Sequence, residues 1–337
     1  MYPSVMSLPR YFELNNGHKV PAVGLGTFQS EDGNALVKDV VKLALRLGYR
    51  HIDTAHAYGN EKAVGEAIRE SGIPREELFV TSKLAQTWHH PDDVEQALDT
   101  SLKDLQLDYV DLYLMHFPHA YQAGNDHQTI RRPDGSGKPL INYSLSRRYP
   151  ETWKAMERLV DAGKARSIGL SNFNILKTTR ILQTARIVPA VNQVELHPYL
   201  PQKDLLEFSS QHGILLMAHQ PLGGRPISAV RGHPDEPRPT EDPKIEEMAA
   251  QLGITPAQMC LSWAIQRGTP VVPKSTGQTH MTQNLQLQRL PEGIFEEVEK
   301  LHLARGPIRF LDPSRHIGFD IFDEEKDQPV DGDESLL

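Results

Sequence analysis

The chain has 337 residues, 39% hydrophobic and 24% charged, enough for two average domains or one α/β barrel. Its formal charge of −8 is concentrated at one end: residues 320–337 carry eight acids and one lysine, which leaves the body near −1. That balance excludes a nucleic-acid surface, which needs a basic face, and the single cysteine, Cys260, excludes an intramolecular disulfide.

Cys260 lies in the apolar run Met259–Trp263 and reads as core packing. No long apolar segment opens the chain, and no stretch has the length of a membrane span. The expectation is a cytoplasmic protein with no membrane partner. Residues 1–9 read as a flexible leader. Tyr11–Leu14, the turn Asn15-Asn-Gly17 and His18–Val20 form a hairpin. In a barrel, such a hairpin can plug the bottom.

A strand–helix alternation follows. Strands are expected at 21–26, 49–53, 78–83, 110–116, 166–171, 188–194, 214–219 and 270–273. Helices fall between them at 33–47, 60–70, 91–105, 150–163, 174–185, 202–212, 243–252 and 255–267, with two more from about 280 and 293. The first helix repeats Leu36, Val37, Val40, Val41, Ala44 and Leu45 on one face. Asn60 is placed to cap the second. The third aligns Val94, Leu98, Leu102 and Leu105, with Asp92 and Asp93 in its first turn, where the helix dipole favours them. Eight strand–helix pairs without a linker predict an α/β fold, a (β/α)8 TIM barrel. One domain spans 10–310, and 311–337 is a C-terminal segment with a solvated acidic tail.

Two stretches break the rhythm. Residues 118–149 contain Pro133-Asp-Gly-Ser-Gly-Lys-Pro139, which is turn chemistry. Their Arg131, Arg132, Lys138, Arg147 and Arg148 read as a solvated loop. Residues 221–240 are rich in Gly and Pro. Both belong to the long loops at the C-terminal face.

Three successive strand ends carry the chemistry. Asp53 ends one strand, Lys83 the next and His116 the third, with Tyr58 in the loop after Asp53. Barrel enzymes work at that end of the strands. A lysine cation beside a tyrosine lowers the phenol's pKa toward working pH, and an aspartate holds the lysine. A histidine orients a carbonyl by hydrogen bonding. Together they can protonate a carbonyl oxygen while something else attacks the carbon. The attacker is not a protein nucleophile, since no Gly-x-Ser-x-Gly elbow occurs. His51, His56, His89 and His90 have no metal-ligand spacing, so no metal is expected. Gly24-Leu-Gly26-Thr-Phe-Gln29 fails the dinucleotide fingerprint at its third glycine, but a nicotinamide can bind another way. Val272-Pro-Lys-Ser-Thr-Gly-Gln-Thr-His-Met-Thr-Gln-Asn284 follows the eighth strand and opens a helix, where barrels commonly hold phosphate.

These motifs resemble the aldo-keto reductase family over roughly residues 11–310. Asp53-Thr-Ala-His-Ala-Tyr58-Gly-Asn-Glu61, Ser82-Lys83-Leu84 and Asp111-Leu-Tyr-Leu-Met-His116 match the family tetrad: Asp53, Tyr58, Lys83 and His116. Gly169-Leu-Ser-Asn-Phe173 and Asn192-Gln-Val-Glu-Leu-His-Pro-Tyr199 match the segments that hold the nicotinamide carboxamide, through Ser171, Asn172 and Gln193. Lys274, Ser275 and Asn284 match the 2′-phosphate and adenine site. The resemblance also assigns Thr27, Asp53, His219, Gln220, Leu222, His280 and Gln283 to the cofactor. It implies a monomeric, NADPH-dependent carbonyl reductase acting on a small molecule. Hydride passes from nicotinamide C4 to the carbonyl carbon, and Tyr58 donates the proton. His116 favours carbonyl reduction over the family variant with glutamate there, which reduces an enone.

The chain departs from the family at several positions. His219 stands where many members stack a tyrosine on the nicotinamide. His280 replaces the arginine that clamps the 2′-phosphate; a guanidinium is always charged, whereas histidine is mostly neutral at pH 7. Weaker discrimination against NADH follows, with Lys274 keeping the preference for NADPH. Phe28, Ala85 and Phe117 replace pocket tryptophans. Ala85 widens the pocket, and Trp88 is placed to refill it. Arg309, Arg315 and His316 face either an acidic substrate or solvent. Two other functions fit part of the pattern: a lyase with Lys83 as Schiff-base amine, and a non-catalytic cofactor-binding module like the potassium-channel β-subunits.

Overall fold

Strand pairing sets the architecture. The structure, a computed structural model, describes residues 7–29 and 31–324, without the side chains of 31–33. Most of the expected leader, and the acidic tail from 325 on, lie outside the described residues. The hairpin β1 (Tyr11–Glu13) and β2 (Lys19–Pro21) comes first and pairs antiparallel. The parallel strands follow: β3 (Leu25–Gly26), β4 (His51–Asp53), β5 (Phe79–Leu84), β6 (Val110–Met115), β7 (Ala165–Ser171), β8 (Val191–Glu195), β9 (Leu215–His219) and β10 (Val271–Val272). Each pairs with its sequence neighbour. The ring closes where Gly24 N–H donates to Val271 O at 2.8 Å and Gly26 N–H to Pro273 O at 3.0 Å. This is the expected (β/α)8 barrel, with each strand inside the expected range to within a residue.

The barrel is filled, as its apolar strands dictate. Phe79, Leu112, Leu114, Val191, Met217 and Val272 form one buried cluster with Leu14 and Val20 of the hairpin. The hairpin therefore plugs the N-terminal end and leaves chemistry to the other end. Outside lie α1 (Val37–Leu47), α2 (Glu61–Ser71), α3 (Val94–Leu105), α4 (Tyr143–Arg147), α5 (Tyr149–Asp161), α6 (Ile175–Leu182), α7 (Lys203–Gln211), α8 (Pro243–Gln251), α9 (Pro256–Gln266), α10 (Gln278–Leu285), α11 (Glu292–Lys300) and α12 (Ser314–Ile317). Helix α1 buries Val37, Val40, Val41, Ala44 and Leu45 and stops at Gly48, whose φ of 103° suits only glycine.

Local expectations needed correction. Asn60 precedes α2 but makes no side-chain cap. Its amide instead donates to Thr27 O at 3.0 Å and its carbonyl accepts from Thr54 at 2.9 Å, so it staples the site loop. Asp92 and Asp93 precede α3, which begins at Val94. The stretch 118–149 is not a plain solvated loop. Bridges Tyr121↔Ile141, Ala123↔Thr129 and Arg131↔Pro139 make it an antiparallel flap, and α4 follows. Arg131 and Arg132 donate to the flap's own carbonyls, and Arg132 also reaches Ile317 O at 2.8 Å.

The C-terminal segment crosses the same rim. Phe310 and Leu311 N–H groups donate to the two Glu195 oxygens, both at 2.7 Å. Ile317 and Ile321 pack with Ile141 of the flap. The start of the acidic tail is docked rather than solvated. Glu324 accepts from Ile175 N–H at 3.0 Å and Leu176 N–H at 2.9 Å, at the positive end of α6.

Gly65 lets α2 and α3 meet. A Cβ there would fall on the backbone carbonyl of Leu105, which cannot move aside. Alanine would gain about 1 kcal/mol of helix propensity, yet overpacking costs about 1–3 kcal/mol or more. Gly65→Ala is therefore expected to lower the urea midpoint of unfolding. An unchanged or raised midpoint would show that the helices separate without strain.

Candidate active site

Lys83 organises the C-terminal rim. It lies near the end of β5 with 1% of its side chain exposed. Its ammonium has three partners: Asp53 Oδ1 at 2.6 Å, Thr54 O at 2.9 Å and Tyr58 Oη at 3.3 Å. Burial works against the cation, but Asp53 and Tyr58 outweigh it and raise its pKa above the ordinary lysine value. Asp53 is held in turn. Its second oxygen accepts from Gln193 Nε2 at 2.6 Å, and its carbonyl from Thr27 N–H and Oγ1–H, each at 3.0 Å.

Tyr58 sits on a short turn, His56–Tyr58, closed by Gly59 at φ 65°. Here the expectation of a lowered phenol pKa fails. Burial raises it by more than the pull of Lys83 lowers it. Tyr58 therefore stays a phenol with a proton to give. The His116 ring stands 5.6 Å from the Tyr58 ring. Burial, then the Lys83 charge, hold His116 neutral, well below the usual histidine range.

Beside the tetrad runs a ladder of polar side chains from the ends of β7, β8 and β9. Ser171 Oγ donates to Gln193 O at 2.9 Å. Asn172 Nδ2 donates to His116 O at 3.0 Å and Ser171 Oγ at 3.2 Å. His219 Nε2 meets Asn172 Oδ1 at 2.9 Å. Asn172 has φ 64° and Gln220 φ 50°, left-handed conformations that cost energy outside glycine. The Gln220 side chain fills the space that a Cβ on Gly224 would take. Leu222 is half-buried and packs on the buried cluster that includes Leu196, Ala218 and Trp263.

After β10, Lys274 and His280 are exposed and Ser275 is buried. Helix α10 opens at Gly277 with no side-chain cap, so its first N–H groups suit a phosphate. Gln283 is half-buried and Asn284 buried, on the same helix as Met281, whose carbonyl accepts from the Tyr49 hydroxyl at 3.0 Å. The exposed cation, the uncapped helix start and the polar ladder all lie at the C-terminal ends of the strands. Their donors and acceptors suit the phosphate and amide groups of a dinucleotide. No group of three or more metal-ligating side chains occurs among the described residues.

The pocket residues divide. Phe28 is 42% exposed, with its ring edge-on to Tyr58 at 5.1 Å. Phe117 is half-buried, 5.1 Å from the His116 ring. Ala85 and Trp88 are 7% and 6% exposed and belong to the buried cluster that includes Leu84, Met115 and Phe173. Trp88 is covered by His127 of the flap, its ring stacked at 3.4 Å. Sequence reading missed His127 and Glu195. His127 meets Trp88 across 39 residues and Glu195 meets Phe310 across 115, distances that no local pattern signals. Arg309 lies over the Phe322 ring at 3.7 Å, and His316 is half-buried near Arg131, Arg132 and Lys138.

The closed barrel gathers these four side chains at the C-terminal ends of its strands. The aldo/keto reductase family model matches residues 22–302, and the chain belongs to that family. Aldo-keto reductase family 1 member A1 of Xenopus tropicalis is 48% identical over 282 residues, covering 82% of this chain and 83% of that protein. The Homo sapiens protein of the same name is 46% identical over 305 residues, covering 89% and 90%. The chain is thus an NAD(P)H-dependent oxidoreductase. No helix among the described residues is long and apolar enough to cross a membrane.

The buried histidines predict a pH dependence. Burial pushes His51 and His219 down to about 4, and His89 and His119 to about 3. His116 moves the same way. In the unfolded chain each would take a proton near pH 6.5. Between that pH and about 4 the unfolded state binds more protons, so stability falls as pH falls. Melting temperature is expected to drop by several degrees from pH 7 to pH 5. A flat profile over that window would mean the rings find hydrogen-bond partners that keep them protonated.

Proposed function

We propose that the chain reduces an aldehyde or ketone with NADPH, using Tyr58 as the proton donor. The observation that carries this reading is the bridging ammonium of Lys83, 2.6 Å from Asp53 and 3.3 Å from the Tyr58 hydroxyl. The nicotinamide, when bound, supplies a hydride to the carbonyl carbon. Tyr58 gives its proton to the carbonyl oxygen, and an alcohol results. As the proton leaves, the phenolate gains the neighbouring charge of Lys83, so the transition state is stabilised more than the ground state. Neutral His116, beside Tyr58, orients the carbonyl without competing as an acid.

Ser171, Asn172 and Gln193 would hold the carboxamide end, with His219 beside it. Lys274, Ser275 and the start of α10 would hold the 2′-phosphate, with His280, Gln283 and Asn284 on the same helix. Thr27, Gln220 and Leu222 line the path between. Phe28, Ala85, Trp88 and Phe117 shape the carbonyl pocket. The substrate is a small molecule, and the protein works as a cytoplasmic monomer. The same lysine geometry argues against a lyase: a Schiff-base amine must lose its proton, and three acceptors around Lys83 oppose that. A purely cofactor-binding role is separated by turnover of NADPH on a carbonyl panel.

Tyr58→Phe is expected to lower kcat by at least about 100-fold, the contribution of a positioned acid, with NADPH affinity unchanged. Retained turnover would remove Tyr58 from the reaction. His280→Arg is expected to tighten NADPH several-fold and leave NADH unaffected, because a guanidinium pairs bidentately with phosphate. Equal tightening of both cofactors, measured by calorimetry, would place residue 280 away from the 2′-phosphate.

A further inference from the structure

We propose that His219 is a positioning residue for the nicotinamide: it locks the amide of Asn172 through an Nε2–H donor, rather than serving only as a flat surface. The inference rests on the cofactor reading above. Hydrogen-bond polarity fixes which atoms meet. The backbone carbonyl of His116 can only accept, and it lies 3.0 Å from one Asn172 side-chain atom, which must therefore be Nδ2. The other atom is then Oδ1, which can only accept. His219 Nε2 lies 2.9 Å from that oxygen and must carry the proton. Burial and the Lys83 charge keep the imidazole neutral, and a neutral ring has one N–H. Its Nδ1 is therefore a bare acceptor.

Asn172 needs such a lock. Its backbone is left-handed at φ 64°, and 2% of the residue is exposed. Its amide would read the carboxamide of the nicotinamide, so a flipped amide would present a donor in place of an acceptor. His219 forbids that flip from the end of β9, while His116 O and Ser171 Oγ forbid it from the other side. The ladder continues through Gln193 to Asp53, so the nicotinamide end and the tetrad share one register. A ring without an N–H at position 219 would leave one side of the lock open.

The test has two arms. In 15N-labelled protein without cofactor, the His219 signal, assigned by its loss in His219→Phe, is expected to show a protonated Nε2 near neutral pH. Protonated Nδ1 would overturn the proposal. In calorimetry, His219→Phe keeps a flat ring but no donor, and is expected to weaken NADPH and NADH by the same factor, about tenfold. Binding of 2′-phospho-ADP-ribose, which has no nicotinamide, should not change. His219→Gln can still donate and should bind NADPH more tightly than His219→Phe. The proposal fails if His219→Phe binds both cofactors like wild type, if 2′-phospho-ADP-ribose weakens equally, or if His219→Gln binds worse than His219→Phe. Wild-type protein that binds neither NADPH nor NADH would instead overturn the cofactor reading itself.

Discussion

The structure of the rim depends on a buried ion pair. The Asp53 and Lys83 side chains are 4% and 1% exposed and meet at 2.6 Å. Taking two charges out of water costs several kcal/mol each after relaxation, and their attraction offsets this only with close geometry and further hydrogen bonds. Each charge has them. Lys83 adds Thr54 O and Tyr58, and Asp53 adds Gln193. Removing one partner would strand the other, at about 3–5 kcal/mol. So β4, β5 and β8 are fixed to one another by their polar ends as well as by the apolar core below.

Burial, with one cation beside it, sets the charge state of the surroundings. His51, His116 and His219 all feel the Lys83 charge, and all are pushed below the ordinary histidine range, mainly by burial. A second cation in this low-dielectric space would be costly. Neutral rings can fill it and still offer hydrogen bonds. The protonated phenol of Tyr58 belongs to the same balance. Burial keeps its proton on, and the Lys83 charge lowers the cost of releasing it.

Much of this was legible in the chain because strand ends are local features. Asp53, Lys83 and His116 each close an apolar run of strand length, and parallel strands deliver such residues to one end. Tyr58 needed only a turn five residues on. The cofactor residues came from motifs rather than from pattern, and their mutual hydrogen bonds could not be foreseen. The direction of the Tyr58 shift was misjudged because neighbours can be counted from sequence but burial cannot. The cap role of Asn60 failed for a related reason: its side chain had partners 33 and 6 residues away at Thr27 and Thr54, and buried polar groups in the loop took precedence over the helix end.

Least legible was how the rim is fastened. Glu195 reads as one letter of a strand-end motif. In the fold, its carboxylate accepts from the Phe310 and Leu311 N–H groups and meets His197 Nε2; burial works against its charge, but His197, then Arg309 and the Phe310 N–H, hold its pKa down to about 2. It lies two residues beyond Gln193 on β8, on the same inward-facing row. That strand therefore joins Asp53 at one position and the C-terminal segment at the next. The segment then packs on the flap through Ile317, Ile321 and Ile141, and the flap covers Trp88 with His127. The flap is thus tied to Asp53 and Lys83 by a chain of contacts that begins on β8. A substitution in the flap or the C-terminal segment can shift that ion pair along it without touching either residue.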